Sequence, residues 1–286
     1  MSRRRVRAAV AVIAVVAAGV AAWIAVRPDA PKQHYDRLVR TQEYLPGVAA
    51  DVFMPATARD HAPVVVLIPG GAWLTAQRSG LAPLAETLAE RGMIVVNATY
   101  RAANSGARFP EPVADIVCAV DFGVAQVREQ HVVPGPVVVV GHSSGAQLAS
   151  VAALEPARFR GACPYPQVDP NGFVGLAGPY DLTEWQGVAA PMFTASPVQD
   201  PASWKDANPV TWAASRTGTD PLSVLLAHGA DDLEVSLASS KNFAATLTKA
   251  GHRVQLTILP GVDHATIYTP GVVADTITTW IASLGN

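Results

Sequence analysis

The chain has 286 residues, half of them hydrophobic and 15% charged, with a formal net charge of −2 at pH 7. Such a composition supports a sizeable buried core, and it lacks both the polarity of a disordered segment and the basic stripe of a nucleic-acid-binding surface. The length suits one large α/β domain or two small domains.

Basic residues concentrate at the start, where Arg3, Arg4, Arg5 and Arg7 precede an apolar, alanine-rich run over 8–26. At about 1.5 Å per residue, a helical run of that length spans a hydrocarbon core of roughly 30 Å. Two readings fit it. It is an uncleaved membrane anchor, or a signal peptide cut after Ala22, where Val20 and Ala22 are small. Both keep the arginines in the cytoplasm and put the rest of the chain outside, anchored or secreted. Residues 27–36, with Pro28 and Pro31 among polar neighbours, form a tether, and 37–286 form the domain body.

Within the body, residues 42–55 alternate around Pro46-Gly47 and predict an antiparallel hairpin at a sheet edge. Short runs rich in Val, Ile and Leu then predict buried strands at 64–68, 93–98, 137–140, 173–177, 223–226 and 254–258. Amphipathic stretches between them predict helices at 81–91, 112–129, 144–154, 237–249 and 272–284, with Gly92 and Gly251 as stop signals. This alternation is the α/β pattern of a mostly parallel central sheet with helices on both faces. It breaks down over 185–221, where many prolines accompany Trp185, Trp204 and Trp212. That segment is a short cap over a pocket or, alternatively, a surface excursion pinned by its tryptophans.

The only cysteines are Cys118 and Cys163, and neither has metal-ligand or catalytic spacing. In an oxidising compartment a disulfide is the first expectation and two buried thiols are the alternative.

The chemistry concentrates at the ends of the predicted strands. After strand 137–140 comes Gly141-His142-Ser143-Ser144-Gly145 and then a helix, the strand-turn-helix setting of a G-x-S-x-G nucleophile elbow. A hydroxyl is a weak nucleophile near neutral pH, so Ser143 needs a base, which this architecture delivers from a loop after the last strand. His264 in Pro260-Gly261-Val262-Asp263-His264 alone meets that condition. His34, His61, His131 and His142 come too early, and His252, between Gly251 and Arg253, is expected to be exposed. The carboxylate that orients the base belongs to Ala230-Asp231-Asp232 after strand 223–226, with Asp232 preferred and Asp231 its rival. Asp181 suits a turn or helix cap better, and Glu234 and Asp263 suit loop positions. Pro69-Gly70-Gly71-Ala72-Trp73 after strand 64–68 offers the N–H groups of Gly71 and Ala72, with that of Ser144, as an oxyanion hole.

From Asp51 onward these segments resemble the esterase and lipase branch of the α/β-hydrolases, which includes hormone-sensitive-lipase-like and bacterial feruloyl-esterase-like proteins. The resemblance takes in Asp51-Val52-Phe53-Met54-Pro55, Tyr100-Arg101, Gly178-Pro179-Tyr180-Asp181-Leu182 and Asn208-Pro209-Val210-Thr211. It implies the α/β-hydrolase fold and hydrolysis of small-molecule carboxylic esters without cofactor or metal. In that branch the acid lies in an H-G-x-x-D-x-x-V segment, which fits His228, Gly229, Asp232 and Val235 and selects Asp232. The branch's H-G-G-G-W segment is altered, with Pro69 in place of the His and Ala72 in place of the third Gly. Ala72 retains its N–H. No nucleic-acid partner is implied, and a membrane is implicated only through an uncleaved N-terminal segment. Two other functions suit the same residues: acyl transfer to a sugar or lipid hydroxyl, and a non-catalytic binding module.

Overall fold

The β-branched runs between glycine- and proline-rich turns assemble as strands of one sheet. A computed structural model describes residues 39–57, 59–216 and 221–285. Among them, eight strands lie in the order β1-β2-β4-β3-β5-β6-β7-β8. They are β1 (Val39–Leu45), β2 (Val48–Phe53), β3 (Ala62–Ile68), β4 (Ile94–Ala98), β5 (Pro134–His142), β6 (Gly172–Leu176), β7 (Ser223–Gly229) and β8 (Arg253–Leu259). The β1–β2 hairpin turns at Pro46-Gly47, with Gly47 at φ 72°, and β2 pairs antiparallel with β4; β3 to β8 run parallel.

The helices are α1 (Ala82–Glu90), α2 (Glu111–Glu129), α3 (Ser144–Leu154), α4 (Pro156–Phe159), α5 (Gln186–Ala189), α6 (Pro201–Ala207), α7 (Leu237–Ala250) and α8 (Pro270–Ala282). Strand alternation divides the core into two layers. Val64, Val66, Val137 and Val139 join α2, α3 and α7 on one face, through Ile116, Leu148 and Phe243. Val65, Leu67, Val138 and Val140 join α1 and α8 on the other, through Leu88, Ile277 and Trp280. The described residues fall in a compact unit spanning 37–286.

The predicted strands and long helices are all present, with small shifts at their ends. Strand β6 stops at Leu176 because Ala177 adopts φ 51°, a left-handed conformation that ends the pairing. Helix α8 begins at Pro270, two residues before the predicted start, since proline's fixed φ suits a first helical turn. The apolar run 8–26 and the tether 27–36 lie outside the described residues. Among the described residues, no helix is long and apolar enough to cross a membrane.

Residues 185–216 contain α5, α6 and short 3-10 turns rather than an extended loop. The segment is fastened down by its aromatic groups. Trp204 stacks on Phe193 with centroids 3.8 Å apart and donates its indole N–H to the Ala195 carbonyl, while Trp212 donates to the Asp206 carbonyl. Within it, Ala189, Met192 and Ala207 are fully buried.

Cys118 on α2 is joined to Cys163 in the segment after α4, with Cα atoms 5.5 Å apart. The bond closes a sequence span of 45 residues around the buried helix α3 and restricts the unfolded chain correspondingly. Replacing both with Cys118→Ala and Cys163→Ala should lower unfolding free energy by about 2–4 kcal/mol in urea titrations. The wild-type protein under reducing conditions should show a matching loss.

Candidate active site

Strand β5 enters α3 through a single residue, Ser143, whose backbone sits at φ 53° and ψ −129°. A non-glycine residue holds such a conformation only when its surroundings fix it. Here the Ser143 N–H donates to the Leu176 carbonyl of β6, and the N–H groups of Ala146 and Gln147 donate back to the Ser143 carbonyl. The flanking glycines are required by space. A Cβ on Gly141 would lie 2.5 Å from the Ala146 Cα, and one on Gly145 would lie 2.3 Å from the Pro69 carbonyl oxygen.

The sharp bend presents the Ser143 hydroxyl to a loop that follows β8. His264 Nε2 lies 2.9 Å from Ser143 Oγ, and His264 Nδ1 lies 2.7 Å from Asp232 Oδ2. The Nδ1–H donates to the carboxylate, which leaves Nε2 to accept from the hydroxyl. The acid and base loops run against each other, for Asp231 N–H donates to the Val262 carbonyl, and a Cβ on Gly229 would lie 2.1 Å from the same oxygen. Asp263 shapes the base loop by accepting from the N–H groups of Ala265 and Thr266.

Asp232 is sealed from solvent and surrounded by donors. Its Oδ1 accepts from the N–H groups of Glu234 and Val235. Its Oδ2 lies 3.3 Å from Nε2 of the fully buried His228, which donates to the Val235 carbonyl at 2.9 Å and whose Nδ1 is 2.7 Å from Ser240 Oγ. Burial alone raises a carboxyl's pKa. Hydrogen bonds from His228 and His264, the attraction of His264 and the Val235 N–H outweigh that effect and hold Asp232 well below the ordinary carboxylate range.

The glycine-rich loop after β3 lies over the elbow. A Cβ on Gly70 would lie 2.8 Å from Ser143 Cβ. Gly71, Ala72 and Trp73 have φ of 148°, 52° and 61°, and the Gly71 carbonyl accepts from both Leu74 and Thr75. Among the described residues, the N–H groups of Gly71, Ala72 and Ser144 have no protein acceptor. Tyr100 fixes the start of the loop by donating its hydroxyl to the Pro69 carbonyl at 3.3 Å. Trp73 donates its indole N–H to Gln147 Oε1 at 2.7 Å, and Gln147 Nε2 donates to the Ala207 carbonyl at 2.6 Å. One buried amide on α3 thus joins the glycine-rich loop to the 185–216 segment.

The structure therefore brings Ser143, Asp232 and His264 into one hydrogen-bonded chain, with the loop bearing Gly71 and Ala72 against the same elbow. Asp181 stands apart as an N-cap that accepts from the Thr183 N–H. One expectation fails. His252 is buried, with Nδ1 accepting from the Leu222 N–H and Nε2 donating to the Ala213 carbonyl, because the turn after α7 folds inward beneath residues 213 and 222. Local sequence order gives His142, His228 and Gln147 no task of their own. His142 has Nε2 2.9 Å from the His264 carbonyl oxygen and rings at 4.9 Å from His264 and 4.6 Å from Tyr268. Their positions are the available signal: His142 and His228 fall at the ends of buried strands, and Gln147 is the one long polar side chain in a helix of small and apolar residues.

Residues 50–247 match the BD-FAE family. The chain is 28% identical over 236 residues to a probable isoprenylcysteine alpha-carbonyl methylesterase of Oryza sativa subsp. japonica, covering 76% of this chain and 55% of that protein. It is 32% identical over 217 residues to the probable carboxylic ester hydrolase LipM of Mycobacterium tuberculosis, covering 71% and 49%. The chain spans about half the length of these curated relatives. Among solved structures, a truncated form of a carbohydrate esterase from gut microbiota has a TM-score of 0.73 at 18% identity, covering 90% of this chain and all of that one (100%). Thermogutta terrifontis esterase 2 phosphoramylated by tabun has a TM-score of 0.70 at 20% identity, covering 90% and 98%. These two likenesses show the fold alone.

The lowered pKa of Asp232 has a defined sign. Its contribution to stability is present at neutral pH, begins to decline as pH falls below the unperturbed 3.8, and is lost as pH falls through the lower folded-state value. The melting-temperature gap between wild type and Asp232→Asn should therefore be widest near pH 7 and narrow as pH is lowered to 3.

Proposed function

Because the chain belongs to the BD-FAE family of esterases with the α/β-hydrolase fold, we propose that it is a serine carboxylesterase acting on small or medium acyl esters outside the cytoplasm. The observation that carries this reading is the chain of contacts from Ser143 Oγ through His264 to Asp232, at 2.9 and 2.7 Å.

Ser143 Oγ attacks the ester carbonyl while its proton passes to His264 Nε2. Asp232 holds the Nδ1–H and stabilises the imidazolium that forms. The carbonyl oxygen becomes an oxyanion facing the N–H groups of Gly71, Ala72 and Ser144. Collapse breaks the bond to the alcohol oxygen, which leaves with the proton from His264, and the acyl group remains on Ser143. Water then attacks the acyl carbon and gives a proton to His264; collapse breaks the bond between that carbon and Ser143 Oγ, His264 returns the proton to Oγ, and the acid is released.

Export has separate support in the sequence and the fold. The arginines at 3–7 precede the apolar run 8–26, and the Cys118–Cys163 bond suits an oxidising compartment.

A fluorophosphonate probe should label wild-type protein and leave Ser143→Ala unlabelled. On p-nitrophenyl acetate, Ser143→Ala should lose at least about 10⁴-fold in kcat and Asp232→Asn about 10³- to 10⁴-fold. A folded wild type that neither labels nor releases acid would refute the esterase reading. In cells, protease added outside the cytoplasmic membrane should reach the domain; complete protection with the cytoplasmic fraction would refute export.

A further inference from the structure

We propose that His142 is a positioning residue for His264, its ring N–H gripping the backbone carbonyl of the base so that the imidazole stays between Ser143 and Asp232. The inference rests on the reading of His264 as the base and deepens it.

The atom facing His142 Nε2 is the His264 carbonyl oxygen at 2.9 Å, which is an acceptor only, so Nε2 carries the hydrogen. The ring also packs against the base itself, with centroids 4.9 Å apart, and against Tyr268 at 4.6 Å on the far side of the same loop. Its other nitrogen faces Gly70, where a Cβ would lie 3.0 Å from Nδ1. His142 thus fills the space between the base loop and the glycine-rich loop, leaving little room for another orientation.

Its place in the chain gives this contact a purpose. His142 is the last residue of β5 and directly precedes Ser143, so nucleophile and clamp share one strand of the central sheet. The base arrives 121 residues beyond Ser143 on an irregular loop. A hydrogen bond from the nucleophile strand to residue 264's own backbone transfers the strand's rigidity to that loop. The ring is also suited to its neighbour's charge. Burial first, and then the proximity of His264, lower the pKa of His142 to about 3, so it donates its hydrogen bond while uncharged. A protonated ring there would oppose the imidazolium that His264 must become.

The test compares His142→Gln, which keeps an N–H donor at a similar reach, with His142→Phe, which keeps a ring and removes the donor. His142→Met replaces the Phe variant if that protein does not fold. Each is melted to establish folding, assayed on p-nitrophenyl acetate, and examined as ¹⁵N-histidine-labelled protein for the downfield proton of the His264–Asp232 hydrogen bond. The Phe variant should lose about 10- to 100-fold in kcat with KM within about twofold, since small misplacements of a reacting group cost rates of that order. Its downfield proton should broaden or move upfield. The Gln variant should keep kcat within about fivefold and retain the signal. A Phe variant with wild-type kcat and an unchanged signal overturns the inference, as does a Gln variant impaired as severely as the Phe variant. The proton signal needs no turnover, so a wild type without esterase activity would sink the proposed function while the signal still decides the role of His142.

Discussion

The arrangement of the site depends on the backbone conformation forced upon Ser143. At φ 53° and ψ −129° an alanine-like backbone is strained, a cost of about 1–3 kcal/mol in general. The sheet and the helix it joins hold it there, through the Ser143 N–H on β6 and the Ser143 carbonyl in the first turn of α3. Relaxing the bend would require a turn of different shape, and Gly141 and Gly145 already sit against backbone atoms with no space for a side chain. The strain turns the hydroxyl away from both elements and toward the sheet edge where the loops after β3, β7 and β8 converge.

That convergence also explains how a carboxylate survives in the interior. An ion taken from water must be compensated by close donors. Asp232 receives them from the turn at 234–235 and from the base loop through His264, with the His228 ring at the end of β7 a further 3.3 Å contact. The two buried imidazoles do different work: His228 faces the carboxylate itself, whereas His142 holds the backbone carbonyl of the base.

Much of this was legible in the sequence because it depends on local order. Runs such as Val64-Val65-Val66-Leu67-Ile68 give a buried strand by themselves, and strand-turn-helix around Gly141 to Gly145 gives the bend. The elbow motif marks Ser143 and chain order marks His264, whereas choosing Asp232 over Asp231 takes the resemblance of His228-Gly229 and Val235 to a known segment. The features that local order does not reveal depend on partners far along the chain. His252 looked like a solvated turn residue, yet its ring bonds to groups 30 and 39 residues away. His142 is masked by its neighbour Ser143, which accounts for the motif, while its partner lies 122 residues on. The 185–216 segment has no periodicity because its order comes from indole N–H groups meeting carbonyls.

Gln147 carries a consequence for anyone reshaping this protein. Its amide oxygen and nitrogen are each committed, one to the indole of Trp73 and one to the carbonyl of Ala207. A carboxylate there would face the carbonyl with a second acceptor, and an aliphatic side chain would strand both partners in a dry interior. Redesign of the helical excursion is therefore coupled to the glycine-rich loop. Grafting a different excursion requires an acceptor in the place of the Ala207 carbonyl, or a new pairing for position 147 chosen together with position 73.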